Sequence, residues 1–277
     1  MNQVFNFKRW LLYTGKHWAE NRKRYLLGLV AITALLILWF SFVLLEGDYH
    51  PLGSKTQLAT YHVGLYAVGL LFASFLFHDL SDNPRGIHFL MIPATATEKL
   101  LTAILFGLVL FMIFYTAVFY AVDTLMVEIA NSLSSAKKEV DNYGRPYVEK
   151  VVNIFTGAVP VQDDYDFGLL FLIFLALQTA FMLGSIYFPK YSFIKTAISI
   201  LVIFLFFVFL IGQVLDAMMP EGTFHVYSFT YSLAHRLGGG KVALPEWVHD
   251  ISVFCLRYGI PPVFILTTWF RLKEKEV

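Results

Sequence analysis

The stretch YLLGLVAITALLILWFSFVLL, residues 25–45, decides the fold class. It carries no charged side chain, and a helix of about 20 apolar residues crosses the roughly 30 Å hydrocarbon core of a bilayer. A basic segment of 24 residues precedes it. Glu46-Gly47-Asp48 follows it, without the small-residue pattern at which a signal peptide is cleaved. Residues 25–45 are therefore predicted to be an uncleaved membrane-spanning helix.

The composition of the whole chain points the same way. Of its 277 residues, 57% are hydrophobic and 15% are charged, and the mean hydropathy is +0.63. Because a soluble domain carries about 25% charged residues, lipid must cover much of this surface. A net charge of +1 provides no broad basic field, which argues against nucleic acid as a partner. A single cysteine, Cys255, excludes a disulfide within the sequence.

Five further apolar stretches are long enough to span a bilayer. They are residues 60–77, 100–122, 169–188, 197–215 and 251–270. The first of these is short and carries His62, and the last contains Arg257 and the pair Pro261-Pro262. The predicted fold is all-α, a polytopic membrane protein with six transmembrane helices.

Lysine and arginine predict the orientation of these spans. With the N-terminus placed in the cytoplasm, the inner segments have about three times the Lys and Arg density of the outer segments. The inner segments are 1–24, 78–99, 189–196 and 271–277, and the outer segments are 46–59, 123–168 and 216–250. Both ends of the chain are therefore predicted to be cytoplasmic.

The first 24 residues are predicted to form an amphipathic helix at the inner membrane surface. At helical spacing, aromatic and apolar side chains share one face, and charged side chains lie largely on the other. The first face holds Phe7, Trp10, Leu11, Thr14 and Trp18, and the second holds Lys8, Arg9, Lys16 and Glu20. Apolar burial and anionic lipid would hold such a helix in the interface. It is either a membrane anchor or an elbow helix that also contacts a cytoplasmic partner.

The loop of residues 78–99 is the most informative connection. Asp82-Asn83-Pro84 is a turn signal, and the apolar element at 87–92 is too short to span a membrane. Pro93 ends that element, and Thr95 with Glu98 has the spacing of a capping box that starts the third span. A short apolar helix facing the cytosol needs a cover, which is either the membrane surface or a partner protein.

The segment 123–168 is predicted to be a small helical cap outside the membrane. Apolar residues recur there at helical spacing in two places, on either side of a turn at 142–146. They are Leu125, Ile129 and Leu133 in the first place, and Val148, Val151, Val152 and Phe155 in the second.

Motifs for chemistry are absent from the sequence. It has no phosphate-binding loop, zinc signature, nucleophile elbow or paired carboxylates within the spans. No catalytic residue and no metal site are therefore predicted. Arg257, within the predicted sixth span, either reaches the interface or pairs with Asp216 or Asp250, or else contacts a substrate or gate.

Residues 85–99 read Arg-Gly-Ile-His-Phe-Leu-Met-Ile-Pro-Ala-Thr-Ala-Thr-Glu-Lys. This order of an apolar turn, a small-residue step and an acid before the third span is similar to that in membrane-spanning subunits of the type-2 ABC exporter family. The resemblance extends over most of the chain through the N-terminal amphipathic helix and the six spans. Ile92 stands where the family usually has Leu, and Thr95 stands where Ser is common. The long 123–168 segment is not a usual family feature.

The resemblance implies that the loop is a coupling helix that docks into a cytoplasmic ABC ATPase. The coupling residues would be Arg85, Ile87, His88, Phe89, Leu90, Met91, Pro93, Thr95, Glu98 and Lys99. It also implies a homodimer, or a heterodimer with a related permease, in a bacterial cytoplasmic (inner) membrane. ATP and Mg²⁺ would bind to the partner ATPase, so this chain would carry no cofactor and would not be an enzyme by itself.

Two other functions stay open from the sequence. One is a membrane-embedded enzyme that uses four residues of the first cytoplasmic loop, His78, Asp79, Asp82 and His88. The other is a non-transporting scaffold or sensor whose cap at 123–168 binds an extracytoplasmic ligand.

Overall fold

The computed structural model describes residues 5–46, 52–81, 83–136, 139–140, 146–147, 151–155, 167–188, 190–218, 222–225, 230–233, 241–243 and 246–275. The helices are α1 (Phe7–Glu46), α2 (Ser54–Phe75), α3 (Asn83–Met91), α4 (Ala96–Ile104), α5 (Phe111–Ala136), α6 (Phe167–Tyr187), α7 (Ser192–Met218), α8 (Glu246–Phe254) and α9 (Ile260–Lys275). A 3₁₀ turn lies at His78–Ser81, and turns of π-helix lie at Leu105–Leu110 and Cys255–Gly259. The short strands are β1 (Glu139–Val140), β2 (Pro146–Tyr147), β3 (Gly222–His225), β4 (Thr230–Leu233) and β5 (Lys241–Ala243), in antiparallel sheets of order β1-β2 and β3-β4-β5.

Five helical stretches of the described chain are long and apolar enough to cross a membrane. They are Phe7–Leu45, Ser54–Leu80, Ala96–Leu133, Gly168–Tyr187 and Ser192–Gln213. The prediction of a helical membrane protein is confirmed at this level. The predicted sixth span is also helical, from α8 through a π turn into α9. It is not among these five, so the count of six stays a prediction.

The proline pair explains the π turn that precedes α9. Proline has no amide hydrogen and its ring crowds the carbonyl one turn earlier, so Pro261 and Pro262 disturb regular α-helical bonding. The wider turn at Cys255–Gly259 lies directly before them, where it relieves that crowding without ending the helix.

The chain forms two compact units. The first comprises Met1–Phe72 and Ile92–Asp166, and the second comprises Ala73–Met91 and Phe167–Val277. The chain therefore passes from one unit to the other within α2, directly after α3 and at the start of α6.

Aromatic side chains of α5 form the core of the first unit. The Phe119 ring, fully buried, lies 5.8 Å from Phe40 of α1 and 5.1 Å from Tyr61 of α2. The Tyr115 hydroxyl donates to the Tyr61 carbonyl over 2.9 Å. A Cβ at Gly64 would collide with that hydroxyl, so glycine lets α5 approach α2 closely here. These contacts align the third helical stretch with the first two.

The N-terminal amphipathic segment is not a separate helix. Helix α1 continues for 40 residues through the junction expected near residue 24, which corresponds to about 60 Å of helix. The sequence at that junction, Asn21-Arg22-Lys23-Arg24, is polar but contains no glycine or proline. The side chains of α1 therefore change from charged to apolar at this junction while the helix itself continues.

The predicted cap is less helical than expected. Helix α5 extends to Ala136 and so contains Leu125, Ile129 and Leu133 as a continuation of the third apolar helical stretch. The following strands β1 and β2 pair as an antiparallel ribbon. Residues 151–155 are irregular and not the predicted second helix, because their backbone groups bond to side chains of α2 and α5 instead of to each other.

Helix α6 is the centre of the second unit and packs against α7 and α9. Gly184 of α6 lies so close to Thr196 of α7 that a Cβ at residue 184 would collide with it. At the C-terminal end of α6, the Lys275 ammonium donates to the Ile186 carbonyl over 2.9 Å, a favourable place for a cation. Burial lowers the pKa of Lys275, and the charge of Arg271 acts in the same direction.

Candidate functional site

Helix α3 presents an exposed apolar face. Ile87 and Met91 are 60% and 77% exposed, and His88 is exposed beside them. Residues four apart lie on one side of a helix, so Ile87 and Met91 form a single patch. Leaving such side chains in water costs roughly 1.5–3 kcal/mol each relative to burial. This face is therefore a candidate docking surface.

The opposite side of α3 is held by its own unit. The Phe89 ring meets the buried Phe77 ring edge-on, with 6.4 Å between the centroids. Helix α3 ends at Met91, and Pro93 follows. The prediction of a short helix at this place is confirmed, and the contact of Phe89 with the buried Phe77 fixes which face points outward.

The start of α4 has the capping box that the sequence predicts. The Thr95 hydroxyl oxygen accepts from the Glu98 amide over 3.3 Å, and the Glu98 carboxylate accepts from the Thr95 amide over 3.0 Å. Two amides that lack partners at a helix N-terminus are satisfied in this way.

The same Glu98 carboxylate also accepts hydrogen bonds at the N-terminus of α1. Arg9 Nη2 lies 2.7 Å from Glu98 Oε1 and Arg9 Nε lies 2.8 Å from Oε2, while the Asn6 amide donates to Oε1 over 2.9 Å. The Asn6 side chain in turn accepts from the Lys8 and Arg9 amides, as an N-cap residue does. One carboxylate thus lies at the N-termini of two helices, where the helix dipoles favour negative charge.

The side chains of Glu98 and Lys99 are buried, which argues against their predicted contact with a partner protein. The Glu98 side chain is fully buried, that of Arg9 is 28% exposed, and Lys99 is 2% exposed. Both Glu98 and Lys99 were expected among the residues that contact an ATPase. Their side chains are enclosed by their own chain, and Glu98 joins α1 to α4. The exposed members of the predicted set include Ile87, His88 and Met91.

The predicted membrane-facing side of α1 is divided in the structure. Phe7, Leu11 and Trp18 are 61%, 57% and 42% exposed. Trp10 is half-buried, and the Thr14 hydroxyl lies 3.3 Å from the Thr102 hydroxyl of α4. The exposed three retain the spacing of one helix face, whereas Thr14 belongs to the contact with α4. Whether the exposed face lies on lipid stays a prediction.

Two amide side chains hold a feature that the sequence did not reveal, residues 151–155, named the strap below. Gln57 of α2 donates to the Val152 carbonyl and accepts from the Ile154 amide, both over 3.2 Å. Asn131 of α5 brackets Val151 in the same manner, over 2.9 Å and 2.8 Å. The sequence signal that could have indicated these contacts is a glutamine and an asparagine, each among apolar residues of a helix. Their partners lie in a segment whose apolar spacing predicts a helix, so the sequence does not point to these contacts.

The remaining candidate residues do not form a cluster in the described part of the chain. Arg257 is exposed, and its guanidinium carbon lies 5.9 Å from the Tyr258 ring. His78 contacts the Phe75 ring edge-on, whereas His88 lies on the exposed face of α3. Asp82 and the Arg85 side chain lie outside the description. Among the described residues, no three His, Cys, Asp or Glu side chains come together as metal ligands would.

No protein-family model, no curated protein and no solved structure matches this chain.

Proposed function

We propose that the chain is the membrane-spanning permease subunit of an ATP-driven exporter of the type-2 ABC class. The observation that carries the proposal is α3, a nine-residue helix between two apolar helical stretches. Ile87, His88 and Met91 project from it, and Phe89 anchors it from behind. A short anchored helix with an exposed apolar face is suited to bind a partner protein and to transmit the movement of that partner.

The connections of α3 suggest how such work would reach the membrane. Phe89 contacts Phe77, just after α2, so a displaced α3 acts on the end of that helix. Residues 92–95 join α3 to α4, whose first turn is fixed to α1 through Glu98. Movement of α3 would therefore reach two spanning stretches, and hydrolysis itself would take place on the partner.

The finer architecture belongs to the same proposal. Six spans, with α8 and α9 contributing the sixth, would return both chain ends to the cytoplasm of a bacterial inner membrane. One such subunit would form half of the pathway, so the working assembly would be a homodimer, or a pair with a related permease, with two ATPases. The exposed Arg257, within the π turn that precedes α9, would lie at the interface or contact the transported molecule.

The test is purification of the tagged chain from its native membrane in mild detergent. We expect a protein with a Gly-x-x-x-x-Gly-Lys-Ser/Thr loop, and its ATPase activity, to accompany the chain. The double substitution Ile87→Asp/Met91→Asp should lower the recovered ATPase at least about tenfold, since interface anchors contribute more than about 1 kcal/mol each.

Tyr191→Asp provides the matched control. Tyr191 is 75% exposed and has a φ of 56°, a conformation that Asp tolerates, so this change should leave ATPase recovery and the helical content unchanged. The proposal fails if no nucleotide-binding protein accompanies the chain, or if the α3 variant recovers as much ATPase as the control.

A further inference from the structure

Asp123 occupies an apolar position of α5. Buried residues recur at helical spacing along α5, both before and after Asp123. The buried face that they form consists of Phe119, Val122, Asp123, Met126, Val127 and Ala130, all 7% exposed or less. Asp123 is 0% exposed, so a single acid stands where the packing calls for a hydrocarbon side chain.

Neither Asp123 carboxyl oxygen has a hydrogen-bond partner among the described residues. The buried side chains of Gln57 and Glu98 in the same unit do have partners. An ionised carboxylate without a partner in an apolar site is far more costly than a neutral carboxylic acid. The surroundings therefore favour the neutral form.

No compensating positive charge faces this position in the part of the chain that the structure describes. Residues 26–45 of α1 and residues 151–155 of the strap contain no titratable side chain. On α2, Lys55 is exposed, the Tyr61 hydroxyl bonds to Thr116, and the His62 ring bonds to the Leu58 carbonyl. On α5, Tyr115 bonds to the Tyr61 carbonyl, the Tyr120 ring lies 5.6 Å from Phe155, and Glu128 is exposed.

The strap covers the stretch of α5 that contains Asp123. It runs antiparallel to the helix: Val151 bonds to Asn131, Asn153 donates to the Thr124 hydroxyl over 3.1 Å, and the Phe155 ring packs on Tyr120. Asn153 is itself buried and lies over the residue next to Asp123. Its attachment through side-chain amides, without a regular ladder, makes the strap the simplest element to detach from this site.

We propose that Asp123 is a proton-binding site whose access to water is controlled by the strap. In the closed arrangement its carboxyl holds a proton. When the strap detaches from Gln57 and Asn131, water reaches the carboxyl, accepts the proton and leaves a solvated carboxylate. The site would couple proton uptake to closure of residues 151–155. It goes beyond the proposed function, since it needs no ATPase partner.

The experiment is infrared spectroscopy of the purified full chain in lipid vesicles at neutral pH. We expect a carboxylic-acid carbonyl band in the native protein. Supplying aspartate with a heavy-carbon carboxyl should shift it, which requires no substitution. Asp123→Asn should remove the band. Glu128→Gln should leave it unchanged, because Glu128 is an exposed acid farther along the same helix.

The strap is tested by Gln57→Ala/Asn131→Ala, which should reduce the band at least about twofold because water then reaches the acid. Asn21→Ala, which removes a side-chain amide on α1 far along the chain from the strap, is the control and should not reduce it. The absence of an acid band in the native protein, or its persistence in Asp123→Asn, would overturn the proton site. A band insensitive to the double substitution would overturn control by the strap. ATPase recovery is not measured here, so failure leaves the proposed function standing.

Discussion

Glu98 and Asp123 are two fully buried acids on one continuous helical run, and their surroundings are opposite. The Glu98 carboxylate accepts from the Arg9 guanidinium and from backbone amides of Asn6 and Thr95. Asp123 has no hydrogen-bond partner for either oxygen in the described chain. The comparison teaches that burial alone does not determine the state of an acid. The donors placed around it do.

The surroundings of Glu98 also explain its position. Each helix N-terminus leaves amide hydrogens without partners, and two such ends meet at this carboxylate. Removal of the acid would leave those amides and the Arg9 charge uncompensated, which costs more than the loss of a single contact. Asp123 supports no comparable set of groups, so its removal should disturb little.

The largest expected effect is that of Glu98→Ala. It should lower the free energy of unfolding by about 2–4 kcal/mol, since it removes a charge-assisted pair and two amide contacts at once. The measurement is equilibrium unfolding in mixed detergent micelles. Glu20→Ala is the control, because Glu20 is 54% exposed and lies 3.7 Å from Lys16, a pair that contributes less than about 1 kcal/mol.

A charge swap sharpens the same prediction. Arg9→Glu/Glu98→Arg preserves an ion pair but places a cation against two helix N-termini. We therefore expect it to recover less than half of the lost stability. Full recovery would mean that pairing alone explains Glu98 and that the helix ends do not matter.

An intermediate effect is expected for Asn131→Ala. This change removes both hydrogen bonds between α5 and Val151 and should cost about 1–2 kcal/mol. It should also raise amide hydrogen exchange within residues 151–155. Asn21→Ala, on α1, should change the free energy of unfolding by less than about 0.5 kcal/mol. Equal exchange in both variants would contradict the contacts of the strap.

The smallest effect is expected for Asp123→Asn. A neutral acid and an amide of the same shape have similar desolvation costs, so the free energy of unfolding should change by less than about 1 kcal/mol. Unfolding at neutral pH is the measurement, with Glu128→Gln beside it. If Asn stabilised the protein by several kcal/mol, Asp123 would be an ionised and strained group, contrary to the comparison with Glu98.

The parts of this molecule that sequence could predict depend on local patterns. Long apolar runs predicted the long apolar helices, and the spacing of Thr95 and Glu98 predicted the cap of α4 with both of its bonds. Pro93 predicted the end of α3. Each of these signals involves residues within one or two turns of one another, so the physical cause can be read directly from the sequence.

The parts that sequence did not reveal are contacts between distant segments. Arg9 and Glu98 are 89 residues apart, and Gln57 meets the strap almost 100 residues later. No local spacing predicts such partners. The resemblance placed Glu98 among the coupling residues, and its burial against Arg9 could not be read from local spacing. The unusual position of Asp123 could have been predicted, because an acid within an apolar helix face is visible in the sequence.

The π turn at Leu105–Leu110 has a consequence for how this helix can change. Buried residues recur every fourth position at Glu98, Thr102 and Phe106, and again from Phe111 through Tyr115 and Phe119 to Asp123. The step from Phe106 to Phe111 has one residue more, which in a regular α-helix would rotate everything after it by about 100°. The π turn absorbs that residue. The loss of one residue within Leu105–Leu110 would therefore leave the partners of both halves in place, whereas the same loss near Phe119 would carry Asp123 off its face. The π turn thus separates two halves of the helix, one with Glu98 and one with Asp123. A chimera could exchange the Glu98 half at this turn while the Asp123 half kept its own contacts.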